Sequence, residues 1–248
     1  HIESLFLHHG PLPLPAIVLV VSGGHTSLYL VPEEGRYQRV GRTRDDAAGE
    51  AYDKVAKLLG LGYPGGPVID RLAKGGDDRA LDFPIARMTH RDRNAPFDRG
   101  QWDFSFSGIK TSVLRYVNGR GAGWTPGERE LADLCASFQR SVVDALLDRT
   151  FGAARWFGAR SVGIAGGVSA NSRLRGDAEA RGSRTGLPVF IPALSLTTDN
   201  AAMIAAAGLR RYRQGVRAGW DLNADASLPL EWDLGTSGTD PRSQVPVP

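Results

Sequence analysis

The chain has 248 residues, of which 42% are hydrophobic and 23% are charged. This length and composition provide a buried core for one large domain or two small ones, and they exclude a fibrous or wholly disordered protein. Lysine and arginine exceed aspartate and glutamate by only three, so the overall charge permits a polyanionic partner without requiring one. A single cysteine, Cys135, excludes an internal disulfide framework and a four-cysteine zinc site, which favours the reducing cytoplasm.

The sequence shows no pattern typical of a membrane span or a secretory leader. No apolar run approaches the roughly 18 residues that span a bilayer, and the first residues do not resemble a secretory leader, so we expect no membrane contact. The chain begins with His1 rather than Met. We therefore expect it to be the downstream part of a longer protein.

The first part of the chain predicts a hairpin followed by two helices. After a proline-rich lead, apolar residues 16–21 predict a buried strand, and residues 26–31 predict its partner across a Gly-Gly turn. Residues 37–40 predict a third strand. Apolar spacing from 46 to 60 predicts a helix, and a shorter helical segment follows at 68–73.

The second part alternates helices with strands. A capping box of Thr125, Pro126 and Glu128 is predicted to begin a long helix, whose apolar stripe includes Cys135 and predicts a buried structural thiol. The alternation predicts the α/β class. The other predicted elements are helices at 109–117, 170–181 and 201–213, and strands at 161–165 and 188–191.

Three regions follow from these elements. Residues 1–15 are a linker with a short functional segment, residues 16–223 form the α/β region, and residues 224–248 have the composition of a disordered tail. Within the second region, residues 87–99 are rich in basic side chains. Either a solvated loop or a nucleic-acid contact, joined by Lys110, explains this cluster of Arg87, His90, Arg91, Arg93 and Arg99.

Two Gly-Gly turns, SGGHT and AGGVSAN, each follow a predicted strand. Glycine allows backbone amides to approach an anion or a ring closely, so the two turns together indicate a nucleotide held between two loops. A hairpin turn and tight strand-to-helix packing are the alternatives. The chain has no P-loop motif, and Asn171 replaces the last glycine of a nucleophile elbow.

Acidic residues near these turns are further candidates. Asp46, Glu50 and Asp53 share one face of a predicted helix, where they could bind a ribose hydroxyl or a metal-bound water. An exposed, acidic helix start is the alternative. Asp70 is a comparable candidate, whereas Asp199 is by local sequence a helix cap.

Five sequence blocks occur in a fixed order: VVSGGHT, DDAAGEAYDKVAKLLGLGYPGGP, FSFSGIKT, AGGVSANSRLR and TDNAAMIA. In these blocks the chain, over about residues 1–211, resembles the TsaD family of tRNA N6-adenosine threonylcarbamoyltransferases. The resemblance implies an α/β protein with an actin-like ATPase or sugar-kinase (ASKHA) fold, incomplete at the N-terminus, whose two lobes clasp a nucleotide.

The resemblance also implies an activity and a substrate site. Members of the family transfer a threonylcarbamoyl group from threonylcarbamoyl-AMP to N6 of adenosine at tRNA position 37, releasing AMP. A non-catalytic nucleotide-binding assembly protein of the same fold is the alternative. The positions that match the family's adenylate contacts are Val20, Val21, Ser22, Gly23, Gly24, Asp53, Gly66, Asp70 and Asn171.

A metal site and protein partners are implied in the same way. The family's H-x-E-x-H motif and one aspartate hold one divalent metal ion per subunit, iron or alternatively zinc. His1 matches the second histidine and Asp199 matches the aspartate, whereas the first histidine and the preceding lobe are expected upstream of His1. TsaB and TsaE are the implied protein partners, with tRNA as the second substrate.

Overall fold

The computed structural model describes residues 1–86, 101–121, 123–217, 219–220 and 223–224. The basic cluster from Arg87 to Arg99 lies outside the described residues, and so does the predicted tail of residues 224–248 from residue 225 onward. Within the described ranges, no helix is long and apolar enough to cross a membrane.

Seven helices and five strands make up the described part of the chain. The helices are α1 (Ile2–His9), α2 (Ala48–Leu58), α3 (Gly65–Ala73), α4 (Ser107–Gly119), α5 (Glu128–Trp156), α6 (Ser172–Thr185) and α7 (Ala201–Arg213). The strands are β1 (Ala16–Val21), β2 (Thr26–Val31), β3 (Gln38–Arg42), β4 (Ser161–Ala165) and β5 (Val189–Phe190). Short 3-10 segments cover Gly167–Ala170 and Leu194–Leu196.

The strands form one mixed sheet in the order β3-β2-β1-β4-β5. β1 pairs antiparallel with β2 and parallel with β4, so the predicted hairpin is confirmed and β1 occupies the centre. Every residue of β1 and β4 is buried. Both strands therefore have apolar layers on their two faces, which explains why their sequences are continuous apolar runs.

Alternate residues of β1 pack into two different layers. Ile17, Leu19 and Val21 belong to the large cluster that includes α2 and α5. Ala16, Val18 and Val20 belong to a smaller cluster with residues of α1. The period-2 geometry of a strand thus gives a three-layer α/β arrangement, which confirms the predicted class.

Some local predictions were wrong. The capping box at Thr125 does not form, because Gly127 takes the N-cap position with an extended backbone and α5 begins at Glu128. The third strand is displaced to Gln38–Arg42. The helix expected from 170 begins at Ser172, after a 3-10 segment. The lead before β1 also contains α1, which the proline-rich composition did not predict.

Candidate functional site

The two Gly-Gly turns lie side by side at one edge of the sheet. β1 and β4 are parallel neighbours in which Val20 is opposite Ala165, so the turns that follow them emerge at the same carboxyl edge. A Cβ placed on Gly166 would lie 2.3 Å from the Val21 carbonyl oxygen. Ligands of open α/β sheets commonly bind at this edge.

The first turn exposes its backbone without any structural need for glycine. The amide of Ser22 donates to the carbonyl of His25 at 2.8 Å, and the amide of His25 donates to Ser22 Oγ at 3.2 Å. Gly23 and Gly24 are exposed and have negative φ angles. Among the described residues, no atom lies within 4 Å of a Cβ built on either one. The fold would therefore accept alanine at both positions.

Two further glycine pairs, Gly166–Gly167 in the AGGVSAN turn and Gly65–Gly66 at the start of α3, each contain one glycine that the fold requires and one that it does not. Gly166 has φ +100 and its Cβ would meet the Val21 carbonyl, so backbone and packing both require glycine there. Gly65 would place a Cβ 2.5 Å from that of Ala56, so packing requires glycine at this position. Gly167 and Gly66, the next residue in each pair, have open space at the Cβ position in the described part of the chain.

Asp53 fixes the start of α3, the helix that carries Gly66. Its Oδ1 accepts a hydrogen bond of 2.8 Å from the amide of Gly65, at the first residue of α3. A carboxylate in this position satisfies a free amide and stabilises the helix start. The structure therefore gives Asp53 a loop-anchoring contact, and the predicted adenylate contact at Asp53 stays a prediction.

Asp70 and Asn171 connect three helices around the AGGVSAN turn. The Asp70 carboxylate accepts from the Ser172 amide at 3.2 Å and from Ser172 Oγ at 2.8 Å. Asn171 accepts from the Leu174 amide at 2.9 Å and donates to Gln139 Oε1 at 2.8 Å. These bonds join α3, α5 and α6, and they hold the second turn beside the first.

The sequence patterns did not predict the roles of Gln139 and Ser172, the partners in these bonds. Gln139 is buried in α5, on a helix whose stripe was interpreted only for its apolar members. A glutamine next to Phe138 in such a stripe is a signal, because a buried amide needs a hydrogen-bond partner. Ser172 had no comparable signal, since its partner is more than a hundred positions away along the chain.

Ion pairs occupy the other predicted acids. Asp46 contacts Lys54 and Lys110 at 2.7 Å each, and Glu50 contacts Lys54 at 2.8 Å. Burial acts to raise the pKa of Asp46, but hydrogen bonds from Lys110 and Lys54 hold that pKa below its ordinary value. The ion pairs favour a structural role near the start of α2 over a ligand site for Asp46 and Glu50, although the Asp46 side chain is only 15% exposed and so is not the exposed residue of the alternative. They also give Lys110 a partner other than tRNA.

The predicted metal ligands come together although they are far apart in sequence. His1 Nε2 lies 3.4 Å from Asp199 Oδ1. Asp199 does not cap α7, because Asn200 accepts the capping bond of 2.9 Å from the Met203 amide. The Asp199 side chain is 92% exposed, so its carboxylate remains open to a further contact. This arrangement favours the metal-ligand interpretation over the helix cap.

The His1–Asp199 pair fits two positions around one metal ion. Nitrogen and oxygen donors about 2.1 Å from a common ion lie about 3.0 Å apart at right angles and about 3.4 Å apart at a tetrahedral angle. His1 Nδ1 is buried and has no hydrogen-bond partner in the described ranges. No group of three or more His, Cys, Asp or Glu side chains suited to a metal occurs there either. Of the predicted ligand set, the described residues thus contain His1 and Asp199, and their role as ligands stays a prediction.

Cys135 has no part in this site. The thiol is buried and free, and burial raises its pKa to about 12. A neutral thiol in an apolar stripe is a poor nucleophile and metal ligand. The predicted structural role is confirmed.

Residues 1–206 match TsaD, the tRNA N6-adenosine threonylcarbamoyltransferase family. The chain belongs to the TsaD family. It is 49% identical over 249 residues to a tRNA N6-adenosine threonylcarbamoyltransferase of Koribacter versatilis and 52% identical over 231 residues to one of Anaeromyxobacter dehalogenans. These alignments cover 89% and 93% of this chain but only 65% and 66% of the two relatives.

A solved structure supports the fold of this TsaD-family chain. Full-length HypF, in a form with phosphate and nucleotide bound, aligns with a TM-score of 0.59 over 86% of this chain and 41% of the HypF chain. At 13% sequence identity, this likeness concerns the fold alone. Together with membership of the TsaD family and the five-stranded mixed sheet, it is consistent with the predicted actin-like ATPase or sugar-kinase (ASKHA) class.

Proposed function

We propose that this protein transfers a threonylcarbamoyl group from threonylcarbamoyl-AMP to N6 of adenosine at tRNA position 37, with release of AMP. The observation that carries the proposal is the pair of adjacent turns after β1 and β4. Gly23, Gly24 and Gly167 lie in these turns. Among the described residues, each has open space at its Cβ position, so packing does not require glycine there. Membership of the TsaD family supplies the substrate class.

The proposed reaction requires little covalent chemistry from the protein. Adenine N6 forms a bond to the carbamoyl carbon, the bond from that carbon to the phosphate oxygen breaks, and the N6 proton passes to solvent. Backbone amides of Gly23 and Gly24 bind the adenylate at close range. Asp53 and Asn171 hold the neighbouring loops in place. Most of the rate enhancement then comes from orientation of the two reacting groups.

One divalent metal ion, iron or zinc, is proposed at His1 and Asp199, whose separation fits two ligands of a shared ion. Such an ion would supply Lewis-acid or templating chemistry for the acyl group. TsaB and TsaE are the proposed protein partners, and the proposed location is the cytoplasm. The single buried cysteine supports a reducing compartment.

The test is threonylcarbamoyl transfer to unmodified tRNA, measured by mass spectrometry of the released nucleosides. TsaB and TsaE are supplied with the full chain. Gly24→Ala places a methyl group in the open face of the first turn, and we expect roughly a tenfold or greater loss of transfer, about 1.4 kcal/mol or more. The matched control is Gly176→Ala, which adds the same methyl to an exposed position of α6.

Three outcomes separate the alternatives. Loss with Gly24→Ala and wild-type transfer with Gly176→Ala support the proposal. Equal transfer by both variants contradicts the role of the turn. Absence of transfer by the wild-type chain, together with calorimetric AMP binding, favours the non-catalytic nucleotide-binding protein.

A further inference from the structure

The separation of the two proposed metal ligands depends on how two helices pack. His1 lies immediately before α1, and Asp199 lies two residues before α7. No local stretch of chain joins them, so the 3.4 Å contact between His1 Nε2 and Asp199 Oδ1 requires α7 to keep its position on α1. What holds α7 therefore controls the geometry of the pair.

Apolar packing gives α7 little support. Of the 13 residues of this helix, Met203 alone is buried in the structure of the described chain. Ile204, Leu209 and Tyr212 are 67%, 49% and 59% exposed. Since apolar burial is non-directional and fully buries only one side chain of this described helix, it leaves the rotation and translation of α7 weakly determined.

Arg210 of α7 makes the directional contacts that apolar packing lacks. Its Nε donates to Glu3 Oε1 at 2.9 Å and its Nη2 donates to Glu3 Oε2 at 3.0 Å. Nη1 donates to Glu34 Oε2 at 2.5 Å, and the guanidinium carbon lies 5.0 Å from the ring centroid of Phe6. A bidentate pair fixes both the distance and the plane of the two groups.

Glu3, in α1, is also held by a hydrogen bond from outside α7. Its side chain is only 9% exposed, and it also accepts a hydrogen bond from the Tyr37 hydroxyl. A carboxylate this buried needs its partners, because an unpaired charge in such a place is costly. Glu3 lies in the first turn of α1, two positions after His1, so the position of Arg210 relative to Glu3 also sets the position of α7 relative to His1.

We propose that Glu3 and Arg210 are positioning residues that hold α7 against α1 so that His1 and Asp199 bind one cation together. The proposal rests on the metal pair proposed above. Neither residue touches the cation; each acts through the packing of the two helices. Ligand geometry is sensitive to displacements of a few tenths of an ångström, so loss of the bidentate contact should weaken metal binding.

The test is calorimetric titration of the full chain with Zn²⁺. We expect Arg210→Ala to bind Zn²⁺ roughly 10- to 100-fold more weakly than the wild type, the range for lost supporting contacts of metal ligands. Arg210→Lys keeps the charge but loses the planar fork, and we expect an intermediate affinity. The control is Arg213→Ala, which lines the same groove of about 460 Å³ between α1 and α7 and should bind within about twofold of the wild type.

A folded double variant separates positioning from stability. Glu3→Met/Arg210→Met removes both charges and leaves no unpaired carboxylate, so we expect it to stay folded by circular dichroism. It should nevertheless bind Zn²⁺ as weakly as Arg210→Ala. Wild-type affinity in this variant, or in Arg210→Ala, would overturn the positioning role.

Variants of the two proposed ligands distinguish failure of the positioning role from failure of the metal site. His1→Ala and Asp199→Ala should each lower Zn²⁺ affinity at least as far as Arg210→Ala. If neither changes the affinity, the metal pair is wrong and the positioning role is overturned with it. If both lower the affinity while Arg210→Ala does not, the metal pair stands and only the role of Glu3 and Arg210 is overturned.

Discussion

Gly166→Ala tests the distinction between structural and open glycines. Gly166 follows β4 directly and has φ 100 and ψ 168, a backbone region that is essentially restricted to glycine. Its Cβ would lie 2.3 Å from the Val21 carbonyl oxygen and 2.8 Å from the carbonyl carbon. Relief of this clash requires β1 and β4 to move apart at the edge where both turns begin.

The expected cost has two parts. Backbone strain contributes about 1–3 kcal/mol, and forcing a methyl group into a filled space contributes about 1–3 kcal/mol more. The free energy of unfolding should therefore fall by about 2–6 kcal/mol, a large share of the roughly 5–15 kcal/mol that stabilises an ordinary domain. Gly167→Ala adds its methyl to open space, and its effect should stay within about 0.5 kcal/mol.

Urea unfolding followed by circular dichroism measures both variants against the wild type. The denaturation midpoint should fall for Gly166→Ala and stay unchanged for Gly167→Ala, with the same slope for all three proteins. A Gly166→Ala protein with the wild-type midpoint would refute the reasoning, because neither the backbone angle nor the clash would then matter. Equal losses in the two variants would refute the division into structural and open positions.

The remaining predictions concern Cys135 and Asp45. Burial raises the pKa of Cys135 from 9.0 to about 12, so the thiol contributes stability below pH 9 that is lost as pH rises to about 12. Cys135→Ala should therefore lose less stability than the wild type between pH 9 and 12. An identical pH profile of stability for the two proteins would contradict the burial effect. Native wild-type protein should also resist iodoacetamide at pH 8 and react once unfolded. Asp45 accepts hydrogen bonds from the Phe106 amide and from Ser107 Oγ, both at 2.8 Å. Asp45→Ala should therefore lower the free energy of unfolding by about 1.5–3 kcal/mol in urea titrations. The control is Asp82→Ala, at a fully exposed side chain, and a similar small change in both variants would count against the Asp45 anchor.

Sequence patterns predicted the elements better than their ends. The apolar runs of β1 and β4 required burial on two faces, and the structure confirms it. The N-terminus of α5 was misplaced, because Gly127 took the N-cap position with its backbone although Thr125 offered a better side chain. Helix ends depend on the path of the preceding loop, and tertiary packing determines that path.

The candidate site shows the same limit. Its blocks and their order identified the family from the sequence, since each combines several specific residues at fixed spacing. The sequence blocks did not indicate which glycines the packing of the fold requires. Gly65 and Gly66 are adjacent and identical in sequence, yet only the first meets a neighbouring helix.

The sequence by itself determined the α/β class, the hairpin, the glycine turns and the family, because these depend on local periodicity and on the spacing of residues along the chain. Tertiary structure alone decided the contacts between distant positions. His1 meets Asp199, Asp70 meets Ser172, and Glu3 meets Arg210. Side-chain chemistry makes each residue a candidate, but only the packing of the helices on the sheet brings the two members of each pair within bonding distance.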